Sequence, residues 1–308
     1  MAVTERDSTT DVIDELGAWL EANWDPDLTC ADWWERLGLS GWAAPTLPEN
    51  AYGKGLSRND AVRVQTEISR FGALGAPAGL GLMLAAPTIA AHGSQEQIDL
   101  YIRDIVTGQK AWCQLFSEPG AGSDLAGLTT RAERDGDEYV VNGQKVWTSA
   151  GQIADLGMLL ARTNFDVPKH QGITWFAIDM HQPGIEVRPL RELTGRAMFN
   201  EVFMSDARVP ADAIIGDLNT GWAAANTTLA HERAGLGSGE RADARRRHRV
   251  SRPAGCGGNA HGYRRRCRQG RYEEETQAHR PILGARADAV NPPECRRPGF
   301  PPKEIPTT

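Results

Sequence analysis

The chain changes character near residue 240, and that break constrains its folding more than any other feature. Residues 241–308 hold only eight Ile, Val, Leu, Met, Phe, Trp and Tyr side chains in 68 positions, too few to enclose a core, whereas all nine Trp lie at or before Trp222. Charge divides at the same place. The tail has 16 basic and 7 acidic side chains against 18 and 33 before it, so the formal −6 of the 308 residues averages a body of −15 and a tail of +9. A body of this length can bury roughly three quarters of its unfolded surface, and function is sought there. The tail carries nearly continuous basic runs at Arg245–Arg249 and Arg264–Arg268 among Gly and Pro. It reads either as a disordered basic arm or as a GC-rich gene translated out of frame.

The acidic body argues against a nucleic-acid groove, which needs clustered Lys and Arg to displace counterions. Cys30 and Cys113 are too few and too far apart for a disulfide scaffold or a CxxC metal site, and Cys256, Cys267 and Cys295 lack zinc-ligand spacing. The N-terminus, acidic at Glu5, Asp7, Asp11 and Asp14, has no secretory-signal pattern. The most apolar stretch, Leu74–Ala91, is broken by Gly and Pro and falls short of a membrane span. A soluble, reducing, cytoplasmic setting is expected, with no membrane partner.

Apolar residues recur at helical spacing over Thr9–Ala22 and Ala31–Leu39. Ser57 offers a cap for a helix through Phe71, a further helix occupies part of Ala78–His92, and Ser94 with Gln97 forms a capping-box pattern opening another. The periodicity then shortens. Tyr139–Val141, Val146–Thr148, Met158–Ala161 and Thr174–Ile178 read as short strands, with an Asn-Gly turn at Asn142 feeding the second. Glu186–Pro189, Phe199–Phe203 and Val209–Ile215 extend the β region, and Gly221–Arg233 returns to helix. The expected organisation is a helical domain at 1–110, a β domain at 111–220, the start of a further helical domain at 221–239, and a basic tail at 240–308.

Two segments carry the chemistry. QLFSEPGAGSDLAG, Gln114–Gly127, combines three glycines, a proline and the hydroxyls of Ser117 and Ser123, a loop whose backbone N–H groups suit a polar cofactor or substrate edge. It is neither a P-loop nor a Rossmann fingerprint, and by itself it equally fits a tight turn. NGQKVWTS, Asn142–Ser149, sets Trp147 beside two hydroxyls, an indole face for a planar ring or an ordinary core Trp. Glu118 reads as ordering its loop through backbone N–H groups and Asp124 as capping the turn that follows. His92, His170, His181 and His231 show no paired carboxylate or metal spacing, and Arg188 and Arg191 around Pro189 read either as exposed loop charges or as partners for a carboxylate or phosphate.

In order and spacing, these strings together with KHQGITWFAIDM, PGIEVRPL, FNEVFMSDARVP and GWAAANTTLAHERAG resemble the acyl-CoA dehydrogenase flavoprotein family over about residues 5–239. The resemblance implies an α+β fold, a helical N-terminal domain followed by a β-barrel-like middle domain and an incomplete C-terminal helical domain. It implies FAD-dependent α,β-dehydrogenation of an acyl-CoA thioester, with electrons passed to an electron-transfer flavoprotein, in a homo- or hetero-oligomer. Gln114, Phe116, Ser117, Trp147, Thr148 and Ser149 then line the flavin, and Ser123 and Arg233 meet the substrate. The family supplies its catalytic glutamate from a C-terminal helical domain, which residues 241–308 do not resemble, so no base is nominated. On that reading the product is catalytically weak or inactive. The competing reading is a non-catalytic subunit or binding module whose basic tail holds an anionic partner.

Overall fold

The computed structural model describes residues 8–237. The proposed basic arm, its Arg runs and its three cysteines lie outside the described residues. The fold is α+β, a helical N-terminal region followed by a curled, half-barrel sheet.

Helix α1 (Ser8–Asn23), α2 (Cys30–Leu39) and α3 (Arg58–Phe71) form where the apolar spacing puts them. Thr29 accepts a hydrogen bond from the Asp32 N–H and Ser57 from the Asp60 N–H, each satisfying an N-terminal donor that the helix leaves free. Gly72, in the left-handed region at φ 90°, ends α3. Leu16, Leu20, Trp33, Leu37, Val64 and Ile68 bury their apolar faces, and Trp33 Nε1 donates to the Leu74 carbonyl at 2.7 Å. A π-helical turn, Gly81–Ala85, runs into α4 (Ala86–His92). Ser94 and Gln97 make the reciprocal capping box the sequence announces, opening α5 (Gln95–Gln97), which continues through a second π-helical turn into α6 (Arg103–Val106).

Seven strands follow: β1 (Trp112–Leu115), β2 (Arg131–Asp135), β3 (Glu138–Ser149), β4 (Leu156–Arg162), β5 (Ile173–Asp179), β6 (Ile185–Leu190) and β7 (Phe199–Pro210). They order as β1-β4-β2-β3-β7-β6, with β5 on the other edge of β4. β5 pairs with β4 along its whole length, so β1, opposite Leu156–Leu159, and β2, meeting Arg162, share the remaining edge one after the other. The glycine-rich loop leaves the sheet between them. Helix α7 (Gly221–Gly237) packs across β5, and a Cβ on Gly221 would lie 2.4 Å from the Trp175 amide nitrogen, an approach only glycine allows.

Two expectations change. Tyr139–Val141 and Val146–Thr148 belong to one strand, β3, and Asn142-Gly143 does not turn. Opposite it β7 holds an extra residue: Val141 pairs with Ala207, but Gly143 pairs with Met204. Asp206, at φ 56°, occupies that bulge. The Asn142 amide donates to the Asp206 carboxylate while Asn142 Oδ1 accepts from the Asp206 N–H, both at 2.9 Å, so a partner 64 residues away captures the side chain a local turn would use. Strand β7 also stops at Pro210, and Ala211–Ala213 form a 3₁₀ turn rather than more strand.

Gly143 is held to glycine by close approach. A Cβ there would sit 2.5 Å from Thr130 Oγ1 and 2.8 Å from Thr130 Cα. Gly143→Ala should therefore lower stability by about 1–3 kcal/mol, read as a lower urea midpoint at unchanged m.

Candidate functional site

A cleft of about 480 Å³ opens where the glycine-rich loop, β3, the β4–β5 connection and α7 meet. Its walls include Gln114, Phe116, Ser117, Ser123, Trp147 and Arg233, so six of the eight expected site residues converge. Thr148 and Ser149 do not line it.

Trp147 is the most unusual of them. Between Lys145, paired with Val202, and Thr148, paired with Asn200, β3 holds one residue more than β7. This second bulge places Trp147 at φ 61° and leaves the residue 57% exposed, its ring edge-on to Phe199 at 5.7 Å. A left-handed backbone costs a non-glycine residue about 1–2 kcal/mol, and for a bulky aromatic it is rare. The strain turns a strand Trp that would otherwise enter the core out into the cleft. Thr148 consequently points into the sheet, wholly buried, its hydroxyl without a hydrogen-bond partner, and Ser149 is half-buried.

The loop is held from below. The buried Glu118 carboxylate accepts from the Thr129 and Thr130 backbone N–H groups at 2.7 and 2.9 Å, from Thr129 Oγ1 at 2.9 Å and from Lys145 Nζ at 2.9 Å. The expectation that Glu118 orders backbone N–H groups is met at the far stem of its own loop. Burial alone would raise its pKa, but the Lys145 charge and these donors outweigh burial and hold it at about 2. Burial pushes Lys145 down to about 8 despite the Glu118 charge. Arg162 anchors the loop again, donating to the Ala126, Leu128 and Lys169 carbonyls.

Asp124 does not cap the turn at Leu125–Gly127 through its side chain. That carboxylate is drawn instead to Lys169 Nζ at 2.7 Å, joining two cleft walls, while the Asp124 backbone carbonyl accepts the Gly127 N–H. His170 meets Trp222 edge-on at 4.8 Å on the cleft wall. His181, expected to lack a carboxylate, lies 3.5 Å from Asp155 because the chain reverses after β5 beside the start of β4; the imidazole is largely solvated and the carboxylate half-buried. Arg188 sits on β6, not on a loop, in a bidentate pair with Glu186. Burial pushes the Cys113 thiol up to about 12, so the cysteine next to Gln114 is inert as a nucleophile.

Sequence reasoning missed Glu232. It lines the cleft, and the Gln114 amide donates to it at 3.3 Å. The signal lay in helical spacing: Trp222, Asn226, Leu229 and Arg233 follow one another every three or four residues along α7, and Glu232, three after Leu229, belongs to the same face. The helix is keyed to its neighbours by Thr228 against Thr88 at 2.9 Å, Thr227 against His92 at 2.8 Å and Arg58, which donates to the Ala234 carbonyl at 2.6 Å.

Because the folded pKa of Glu118 lies below its ordinary 4.5, its contribution to stability is complete above that value and disappears as pH falls from about 4.5 through about 2. Urea midpoints measured across this window should fall with acid in the parent chain and fall less steeply in Glu118→Gln.

Comparison with known proteins agrees with this layout. Residues 5–109 match the model of the acyl-CoA dehydrogenase N-terminal domain, and residues 113–207 match that of the acyl-CoA dehydrogenase middle domain. Over 203 residues the chain is 47% identical to the acyl-CoA dehydrogenase FadE34 of Mycobacterium tuberculosis, a match covering 66% of this chain and 28% of FadE34. Among solved structures it is similar to the Tcur3481-Tcur3483 steroid ACAD G363A variant, at TM-score 0.58 and 31% identity over 74% of this chain and 63% of that one. It is likewise similar to the ChsE4-ChsE5 complex from Mycobacterium tuberculosis, at TM-score 0.56 and 33% identity over 75% and 61%. In each case the chain spans less than two thirds of the relative's length. With both domain models matched in order along the helical region and the curled sheet, the chain belongs to the acyl-CoA dehydrogenase family and carries its N-terminal and middle domains.

Proposed function

We propose that the cleft binds FAD and an acyl-CoA thioester and that the protein serves α,β-dehydrogenation of the acyl chain. The observation that carries this reading is Trp147, an indole thrust into the cleft by a strained bulge, a cost a merely structural strand residue has no reason to bear. The residues present fit a flavin. Trp147 offers an apolar face to a planar ring, and Gln114 and Ser117 offer donors and acceptors for a polar edge. The buried, unpartnered Thr148 hydroxyl lies one residue beyond the indole, with Ser149 after it.

FAD, when bound, accepts a hydride from the β carbon and passes electrons on to an electron-transfer flavoprotein. The chain itself must hold the thioester and take a proton from its α carbon. Ser123, on the exposed tip of the loop, suits the pantetheine or phosphate portion, with Arg233 on the facing helix wall. Proton removal calls for a carboxylate within reach of the α carbon. Of the two carboxylates lining the cleft among the described residues, Asp124 is engaged by Lys169, whereas Glu232 keeps Oε1 free of the Gln114 amide that holds Oε2. We assign Glu232 the α proton, at Oε1, with Gln114 orienting it. This moves the base from a domain beyond α7 onto α7 itself.

The similar ChsE4-ChsE5 structure is a complex of two different proteins, and we extend that arrangement here: this chain works together with a second dehydrogenase-like chain. Among the described residues no helix is long and apolar enough to cross a membrane.

Full-length protein titrated with FAD should take up yellow cofactor, and anaerobic addition of an acyl-CoA should bleach it. Trp147→Ala should weaken FAD binding about tenfold or more, the scale of one lost aromatic stacking contact. Glu232→Gln should keep FAD and acyl-CoA binding while slowing bleaching about 100-fold or more. A chain that takes up no FAD, alone or copurified with a sister chain, defeats the proposal.

A further inference from the structure

Two charged side chains lie beneath the cleft without lining it. Lys145 is fully buried and Glu118 nearly so, with Nζ 2.9 Å from Oε1. Lys145 Nζ also donates to the Phe116 carbonyl at 3.0 Å, and the next backbone N–H, that of Val146, donates to the Ser117 carbonyl at 2.9 Å. Glu118 meanwhile accepts from Thr129 and Thr130 at the other stem of the loop. One ammonium and one carboxylate thus join both stems of the glycine-rich loop to β3, at the residue where the Trp147 bulge begins. The third buried charge nearby, Arg162, spends its donors on carbonyls of the loop and of the β4–β5 connection.

An ion pair is an odd choice for packing alone, because apolar side chains of similar volume generally hold such a site as well or better. What it adds is register. Side chains on a strand alternate faces, so a slip of β3 by one residue would carry Lys145 away from both its acceptors and strand two buried charges. An apolar side chain at 145 exacts no such penalty, and the extra residue between Lys145 and Thr148 is then free to be accommodated elsewhere along the strand.

We propose that the Lys145–Glu118 pair is a register lock that fixes the bulge at Val146–Trp147, which makes both side chains positioning residues for the indole in the cleft. The consequence for cofactor rests on the flavin reading above; the lock itself rests on the contacts. Neither side chain touches a ligand. Each acts through the backbone it holds, Lys145 through the Phe116 carbonyl and its own neighbours Val146 and Trp147, and Glu118 through the Thr129 and Thr130 amides.

The test uses the full chain carrying Lys145→Met together with Glu118→Gln, a neutral pair of nearly the same size. Two readouts are taken: acrylamide quenching assigned to Trp147 by difference from the same protein bearing Trp147→Phe, and FAD affinity. The lock predicts cooperative urea unfolding, a changed Trp147 quenching constant and an FAD dissociation constant raised about tenfold or more, the scale on which a small displacement of a positioned group is felt. Unchanged quenching and affinity in a folded double variant overturn it. If the parent chain takes up no FAD, the flavin reading fails and quenching alone decides the lock. Should the double variant not unfold cooperatively, amide exchange in Glu118→Gln decides: the Val146 amide exchanging faster than in the parent, with Leu159 in β4 unchanged, supports the lock, and parent-like exchange at Val146 overturns it.

Discussion

An ammonium group with no exposed surface cannot remain charged inside a protein without a partner, and Lys145 has been given two. Much of the cleft depends on where those partners come from. Both belong to the loop after β1, so satisfying the charge draws the loop against β3. The Glu118 carboxylate then has the capacity to gather the far stem at Thr129 and Thr130. Hydrogen bonds to charged groups are the stronger kind, and here they concentrate at the junction of a long irregular loop with β3, one of the sheet's two longest strands.

The opposite wall is set differently. Helix α7 presents Trp222, Asn226, Leu229, Glu232 and Arg233 to the cleft, and its rotation about its own axis decides whether it does. Apolar packing alone tolerates rotation, since small side chains such as Ala224 and Ala225 offer little shape to grip. The directional contacts are polar: a buried Thr88–Thr228 hydroxyl pair, the His92–Thr227 contact and the Arg58 guanidinium on the Ala234 carbonyl. The helical N-terminal region therefore acts on the site at one remove, by orienting the helix that carries its carboxylate.

Legibility in the sequence followed the range of the interactions. Helices whose ends depend on neighbours three residues away, as at Thr29, Ser57 and Ser94, were readable because the cap and the donor it satisfies lie in one window. Asn142-Gly143 misled because its side chain is claimed by Asp206, and no local pattern announces a bulge in a partner strand. Trp147 reads from its own segment as either a ring-facing indole or a core Trp, and only the family's motif favoured the cleft, since an indole on a strand belongs to a core unless a bulge redirects it. Thr148 and Ser149 came with the same motif, but the bulge that turns Trp147 outward sends Thr148 into the sheet. Glu232 was overlooked beside Arg233 because a carboxylate on an exposed-looking helix is ordinary until its neighbour Gln114, 118 residues earlier, is known.

The sharing of one edge of β4 by β1 and β2 has a further consequence. β1 takes its register from β4 and β2 takes most of its register from β3, so residues of the loop between them can change without shifting those rungs, provided one stem still reaches Lys145 and the other still reaches Glu118. Such a loop is a replaceable part mounted on a fixed frame. The Ser123 tip can vary in shape and chemistry while the seat that holds the loop stays unaltered.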